Sequence, residues 1–359
     1  MLSGEPVPIS VLTGFLGSGK TTALNHLLRQ PGMARVMVIV NEFGEIGLDH
    51  ELIETADEDT VLLRSGCLCC TIRNDLIDTL QNLARRRAQG ETAEFDRVVI
   101  ETTGLADPAP ILQALLTDPI VASRFRLDGI IATVDAVAGG ATLDRHIEAV
   151  KQAALADRIV LTKTDLADAA ACAAIEARVR AINPAAAILR ARHGAIEPTQ
   201  LLDIGGYDPT RKGADVRRWI AEEKYASSHA HDHGVHDHGA HDRAAPRDVN
   251  RHDDHIRAIC LALDQPVPGE ALDRWLEGLL RLKGPDLLRF KAIINVAELP
   301  GPLVVHGVQH VIYPPVALKT WPSEDRRTRM VFITYDIDEA TLRGSLAALA
   351  NACEGRTQS

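Results

Sequence analysis

An apolar run at 7 to 13 (VPISVLT) leads into Gly14 to Thr22 (GFLGSGKTT), and a helical pattern starts at Lys20. The stretch fits G-x-x-x-x-G-K-[ST] at Gly14, Gly19, Lys20 and Thr21. Few sequences restrict a fold more. The glycines let the backbone curl so that N–H groups converge on phosphate oxygens, with the helix amino terminus adding partial positive charge. That geometry needs a strand delivering the loop and a helix leaving it. Gly17, Ser18 and Thr22 complete the cradle, Lys20 is placed to neutralise the β- and γ-phosphates, and Thr21 to ligate Mg²⁺.

The neighbouring pattern agrees. Further apolar runs at 35 to 40, 97 to 101, 129 to 134 and 158 to 162 alternate with helical segments near 20 to 30, 72 to 88, 144 to 155 and 169 to 182. Strands apolar on both faces, separated by helices, predict an α/β fold: a P-loop NTPase parallel sheet flanked by helices, with ligands beyond the strands' carboxyl ends. At 359 residues two domains are expected. Turn residues near 205 to 215 close the first, giving a nucleotide-binding domain over 1–204. A His-rich linker is expected over 205–254, and a smaller α+β carboxyl-terminal domain over 255–355.

Two further corners of a nucleotide site are visible. After the third apolar run, ETTG (101 to 104) offers Glu101 for the Mg²⁺ shell and Gly104, whose N–H can approach a γ-phosphate. After the fifth, TKTD (162 to 165) resembles the guanine-reading N-K-x-D. Asp165 would accept the N1–H and 2-amino donors, the Lys163 stem would pack over the ring, and Thr162 stands where Asn is usual. A strand end with a helix cap is the plain alternative for this tetrapeptide.

Three of the six cysteines fall within SGCLCCTI (65 to 72). The amino terminus lacks a signal-peptide pattern and no apolar stretch suggests a membrane span, so a cytoplasmic chain with reduced thiols is expected. Metal binding, a redox pair (Cys67 and Cys70 have C-x-x-C spacing) and simple burial all remain open. A net charge of −10 without a basic block, together with 4% aromatics, argues against nucleic acid as a partner. Residues 229 to 255 hold eight of the fourteen histidines, including His229, His231, His233, His236, His238 and His241. Imidazoles so spaced can gather Zn²⁺, Ni²⁺ or Co²⁺.

Together TGFLGSGKTT, NEFGEIGLDH (41 to 50), SGCLCCTIRNDL (65 to 76), ETTGLADP (101 to 108), TKTD and INPAAAILRARHG (182 to 194) resemble the CobW-type P-loop GTPases, metallochaperones for zinc or cobalt. The resemblance implies GTP and Mg²⁺ as ligands, and Cys67, Cys69 and Cys70 as ligands of a transferable metal. Zn²⁺ suits three thiolates better than Co²⁺. It further implies that Glu42, in a switch loop with Glu45 nearby, lies beside the metal, and that Arg192 or His193 lies near the base. A client metalloprotein would receive the metal, and a homodimer is compatible with the family. Asp107 reads equally as a turn residue, and His306 and His310 as packed histidines. The rival readings are cobalt delivery for cobalamin synthesis, a metal sensor or store with GTP as a structural ligand, and a phosphoryl transferase.

Overall fold

The computed structural model describes residues 5–43, 60–65, 70–204 and 255–354. Its first sheet has seven strands, every neighbouring pair parallel, in the order β3-β2-β4-β1-β5-β6-β7. They are β1 (Val7–Gly14), β2 (Val36–Phe43), β3 (Thr60–Ser65), β4 (Arg97–Glu101), β5 (Phe125–Asp135), β6 (Arg158–Thr162) and β7 (Ala187–Arg190). The helices are α1 (Lys20–Leu28), α2 (Cys70–Gln89), α3 (Ala109–Thr117), α4 (Pro119–Arg124), α5 (Gly139–Arg145), α6 (Ile147–Leu155), α7 (Ala169–Ile182) and α8 (Pro198–Leu201).

Successive strand residues point to opposite faces, which is why the central strands must be apolar throughout. Ile130 packs beneath α2 and α3 and Ala132 beneath α5 to α7, while Ile131 packs on the other side with α1 and α8. Two strands escaped the sequence reading. β3 and β7 lie at the sheet's edges, and β7 is half-exposed along most of its length, so neither shows a fully apolar run. The expected helix over 144 to 155 breaks at His146, whose extended backbone (φ −130, ψ 108) separates α5 from α6. Its ring stacks on Phe15 of the phosphate loop, with centroids 4.3 Å apart.

The carboxyl-terminal domain is built on an antiparallel sheet of β8 (Ile256–Leu263), β9 (Leu287–Ile294), β10 (Leu303–Val308), β11 (Val311–Ile312), β12 (Val316–Ala317) and β13 (Thr328–Tyr335). One face carries Ile259, Phe290, Ala292, Met330 and Phe332, and is covered by α9 (Gly269–Lys283) and α10 (Glu339–Glu354). The other turns toward the first domain. Ile256, Leu288 and Ile333 join the core under α5 to α7, and Val308 and Tyr313 join the core of β1, β4 and β5.

A buried charge cluster fixes this docking. Asp157, in the turn before β6, pairs with Arg289 and, at 3.3 Å, with Lys291, both on β9. Its second oxygen accepts the Ile130 N–H at 3.0 Å. Burial alone would push this carboxyl up, but Arg289, Lys291, the Ile130 N–H and His306 outweigh it and hold the pKa at about 2.

Candidate functional site

The phosphate loop takes the shape its glycines allow. Gly14, Gly17 and Gly19 have φ values of 142, 70 and 91, and a Cβ on Gly14 would lie 2.1 Å from Thr133 Oγ1. Ser18 shares a 2.6 Å hydrogen bond with Thr133, and its N–H donates to Phe15 O at 3.1 Å. Gly19 is the N-cap of α1 and supplies no side-chain cap, so the first-turn N–H groups face the mouth of the loop. Lys20 folds back over the loop, its Nζ 3.2 Å from Phe15 O. Thr21 donates to Glu101 Oε1 at 2.8 Å, which pairs the hydroxyl and carboxylate that a Mg²⁺ shell requires. Gly104 sits against the loop: a Cβ there would come within 2.6 Å of Leu16 N. The glycines and the oxygen donors thus fit a magnesium-bound nucleoside triphosphate.

On the far side of β1, TKTD closes onto the same loop. Thr162 donates to Ser18 O at 2.7 Å, so a hydroxyl at the position usually held by Asn still ties the two loops. Lys163, with φ 55, reaches Gly17 O at 2.8 Å and Asp135 at 2.6 Å. The other oxygen of Asp135 accepts the Val137 and Ala138 N–H groups. Asp135 was missed in the sequence because its lone motif-free position gave no signal. Asp165 accepts the His193 backbone N–H at 3.1 Å, with the His193 ring 3.3 Å from its other oxygen. That backbone bond is the main reason its carboxyl lies below the usual range, against a smaller opposing effect of burial. Residues 192 to 195 form a tight turn with His193 and Gly194 both at positive φ, and a Cβ on Gly194 would meet Thr22 O at 2.9 Å. His193 thus stands beside Asp165 in an exposed turn, with Arg192 next to it in the chain.

The ends of β4, β2 and β3 share the same edge of the sheet. β4 ends at Glu101, β2 carries Asn41 to Phe43 at its end with Glu42 in register with Arg64, and β3 ends at Ser65, directly before the cysteine segment. Strand order therefore lines up the ends of β3, β2, β4, β1, β5 and β6, at Ser65, Phe43, Glu101, Gly14, Asp135 and Thr162, along one edge. Three strand spacings of about 4.8 Å put β3 roughly 14 Å from β1. Cys70 opens α2, whereas Cys67, Cys69, Glu45 and the histidines His229, His231, His233, His236, His238 and His241 lie outside the described residues. Among the described residues no group of three His, Cys, Asp or Glu side chains could hold a metal.

Other candidates resolve simply. Asp107 accepts the Ala109 N–H at 3.0 Å and pairs with Lys151 at 3.1 Å, so it serves the turn. His306 lies opposite Lys291 in the β9–β10 ladder, and His310 packs on Gly284. Among the described residues, no helix is long and apolar enough to cross a membrane.

Residues 8–190 match the family described as CobW/HypB/UreG, nucleotide-binding domain, and residues 256–350 match the cobalamin synthesis protein cobW C-terminal domain. The zinc chaperone YjiA of Escherichia coli is 34% identical, across 96% of this chain and 99% of its own. The zinc chaperone CobW of a Sinorhizobium species is 30% identical, across 96% and 97%. The crystal structure of Zn(II)-bound YjiA GTPase from E. coli superposes with a TM-score of 0.67 at 28% identity, covering 96% of this chain and 99% of that one. With its phosphate loop, its parallel sheet and its second antiparallel domain, the chain belongs to the CobW family of zinc chaperone GTPases.

Proposed function

We propose that the chain hydrolyses GTP to gate a Zn²⁺ ion held by Cys67, Cys69 and Cys70, and delivers that ion to a client metalloprotein. The observation that carries this reading is the row of strand ends, which puts the β3 end, next to the cysteines, two strands from the β4 end at Glu101 and three from the phosphate loop. A change at the γ-phosphate thus has a short route, through the ends of β4 and β2, to the end of β3, where the cysteine segment follows in the chain.

In this reading Gly14, Gly17, Ser18, Gly19 and Thr22 cradle the phosphates, and Lys20 leaves Phe15 O to neutralise charge on the β,γ bridge. Thr21 and Glu101 hold Mg²⁺, which neutralises charge building on the phosphates during transfer. Thr162 keeps the base loop on the phosphate loop, the Lys163 stem covers the ring, and Asp165 reads the guanine edge. Gly104 N–H contacts the γ-phosphate, and its loss on hydrolysis releases the loop beginning at Glu101. Glu42 responds from β2. Three thiolates leave one tetrahedral position for an incoming client ligand, so the ion can leave. His229, His231, His233, His236, His238 and His241 of the linker raise the local concentration of metal. Zinc is preferred to cobalt because thiolates favour it and because the relatives are named zinc chaperones.

The test is hydrolysis by the full chain with Mg²⁺. Slow GTP turnover is expected, with ATP in tenfold excess failing to compete. Lys20→Ala and Thr21→Ala should each lower kcat by roughly a hundredfold or more. Equal use of ATP, or transfer of phosphate to an acceptor other than water, would overturn the reading.

A further inference from the structure

Helix α6 is gripped at two levels by two different parts of the molecule. Toward the nucleotide, Gln152 Nε2 donates to Gly104 O at 3.2 Å and to Ala106 O at 3.0 Å, and the neighbouring Lys151 pairs with Asp107 at 3.1 Å. Both side chains hold the loop that follows ETTG, and Gln152 is only 1% exposed. Toward the carboxyl-terminal domain, Leu155 O accepts from Arg289, and Asp157 pairs with Arg289 and Lys291 on β9. Three residues, about 4.5 Å of helix rise, separate the two grips.

That short span is stiff. Every residue from Gln152 to Arg158 is buried. The Asn183 amide donates to the carbonyls of Ala153, Ala154 and Ala156 at 2.9, 3.0 and 2.9 Å, which satisfies helix-end acceptors that would otherwise lie buried without partners. A close-packed segment of this kind moves as a body rather than deforming locally.

We infer that α6 couples the loop after ETTG to the docking of the carboxyl-terminal sheet, with Gln152 as the positioning residue at one end and the Asp157–Arg289–Lys291 cluster at the other. The inference rests on the proposed γ-phosphate contact of Gly104. A shift of Gly104 toward or away from the phosphate pulls on Gln152, and α6 carries the displacement to β9. Linkage is reciprocal: if nucleotide state biases the docking, then loosening the docking changes the preference between nucleotides.

The experiment measures the affinities of the full chain for Mg·GDP and for a non-hydrolysable GTP analogue with Mg²⁺. They are compared in wild type, Gln152→Leu, Lys151→Met and Lys291→Met. A generally weakened fold lowers both affinities together, so the readout is their ratio. The ratio should shift by at least about fivefold in Gln152→Leu and in Lys291→Met. Lys151→Met, at a partly exposed site, should shift it in the same direction and substitutes for Gln152→Leu should that variant not fold. A ratio unchanged in Lys291→Met, with both nucleotides bound, overturns the coupling and leaves the reading of the nucleotide site standing. Failure of the wild type to bind either nucleotide overturns both.

Discussion

Asp165→Asn is expected to cost guanine nucleotides roughly a thousandfold or more in affinity, while xanthine nucleotides gain. Guanine offers two donors, N1–H and the 2-amino group, and a carboxylate accepts both. An amide turns one acceptor into a donor, so one guanine N–H then faces an N–H. Xanthine has a carbonyl where guanine has the amino group, and pairs with the amide instead. The change should leave the fold in place, because the amide oxygen still accepts the His193 N–H that orients residue 165. Protonation does not mimic it near neutral pH, since that same bond keeps the Asp165 carboxyl below its ordinary range. Equilibrium binding of GDP and XDP to wild type and variant checks the prediction. A variant that keeps its preference for GDP would show that Asp165 does not read the base.

Asp157→Ala is expected to destabilise the chain by about 3–5 kcal/mol, because it leaves Arg289 buried with its charge uncompensated. Replacing Asp157 and Arg289 together by leucine should recover much of the loss, since two well-packed apolar groups avoid the desolvation that the pair must offset. The pH dependence follows from a folded pKa of about 2 against an ordinary 3.8. Because the native value is the lower one, the carboxylate's contribution, about 2 kcal/mol, is complete above roughly pH 5. It is lost as the pH falls from there through 2, and changes little around neutrality. Guanidinium unfolding of the two variants at pH 7, and of wild type at pH 7 and pH 3, measures each part. An Asp157→Ala chain as stable as wild type would mean that the cluster does not hold the domains together.

What could be read in advance divides by the range of the interaction. The central strands β1, β4, β5 and β6 were legible because burial on both faces demands an unbroken apolar run. The phosphate loop was legible because its glycines and Lys20 serve one another within nine positions. Residues whose purpose lies far along the chain were not. Asp157 reads as a turn residue and Asn183 as a helix stop, yet the partner of Asp157 is 132 positions away and Asn183 bonds to carbonyls 27 to 30 positions back. Gln152 looks like any polar helix residue, because nothing local shows that Gly104 and Ala106 need its amide. The break at His146 was hidden for the same reason: its ring answers Phe15, not the helical period. The role of Thr162 was legible only in part. The sequence marked a departure from Asn, and the hydrogen bond to Ser18 O shows what the hydroxyl does instead.

The central claim, that nucleotide state sets the hold on the metal, is tested most directly by titrating Zn²⁺ into the full chain against a competing chelator. The titration is run with Mg·GDP and with a non-hydrolysable GTP analogue, alongside a variant with Cys67, Cys69 and Cys70 all replaced by alanine. The account predicts that the GTP analogue tightens Zn²⁺ binding tenfold or more, a coupling of about 1.4 kcal/mol, and that the triple variant loses this difference. Equal Zn²⁺ affinity in the two nucleotide states, or a difference that survives in the triple variant, would contradict it.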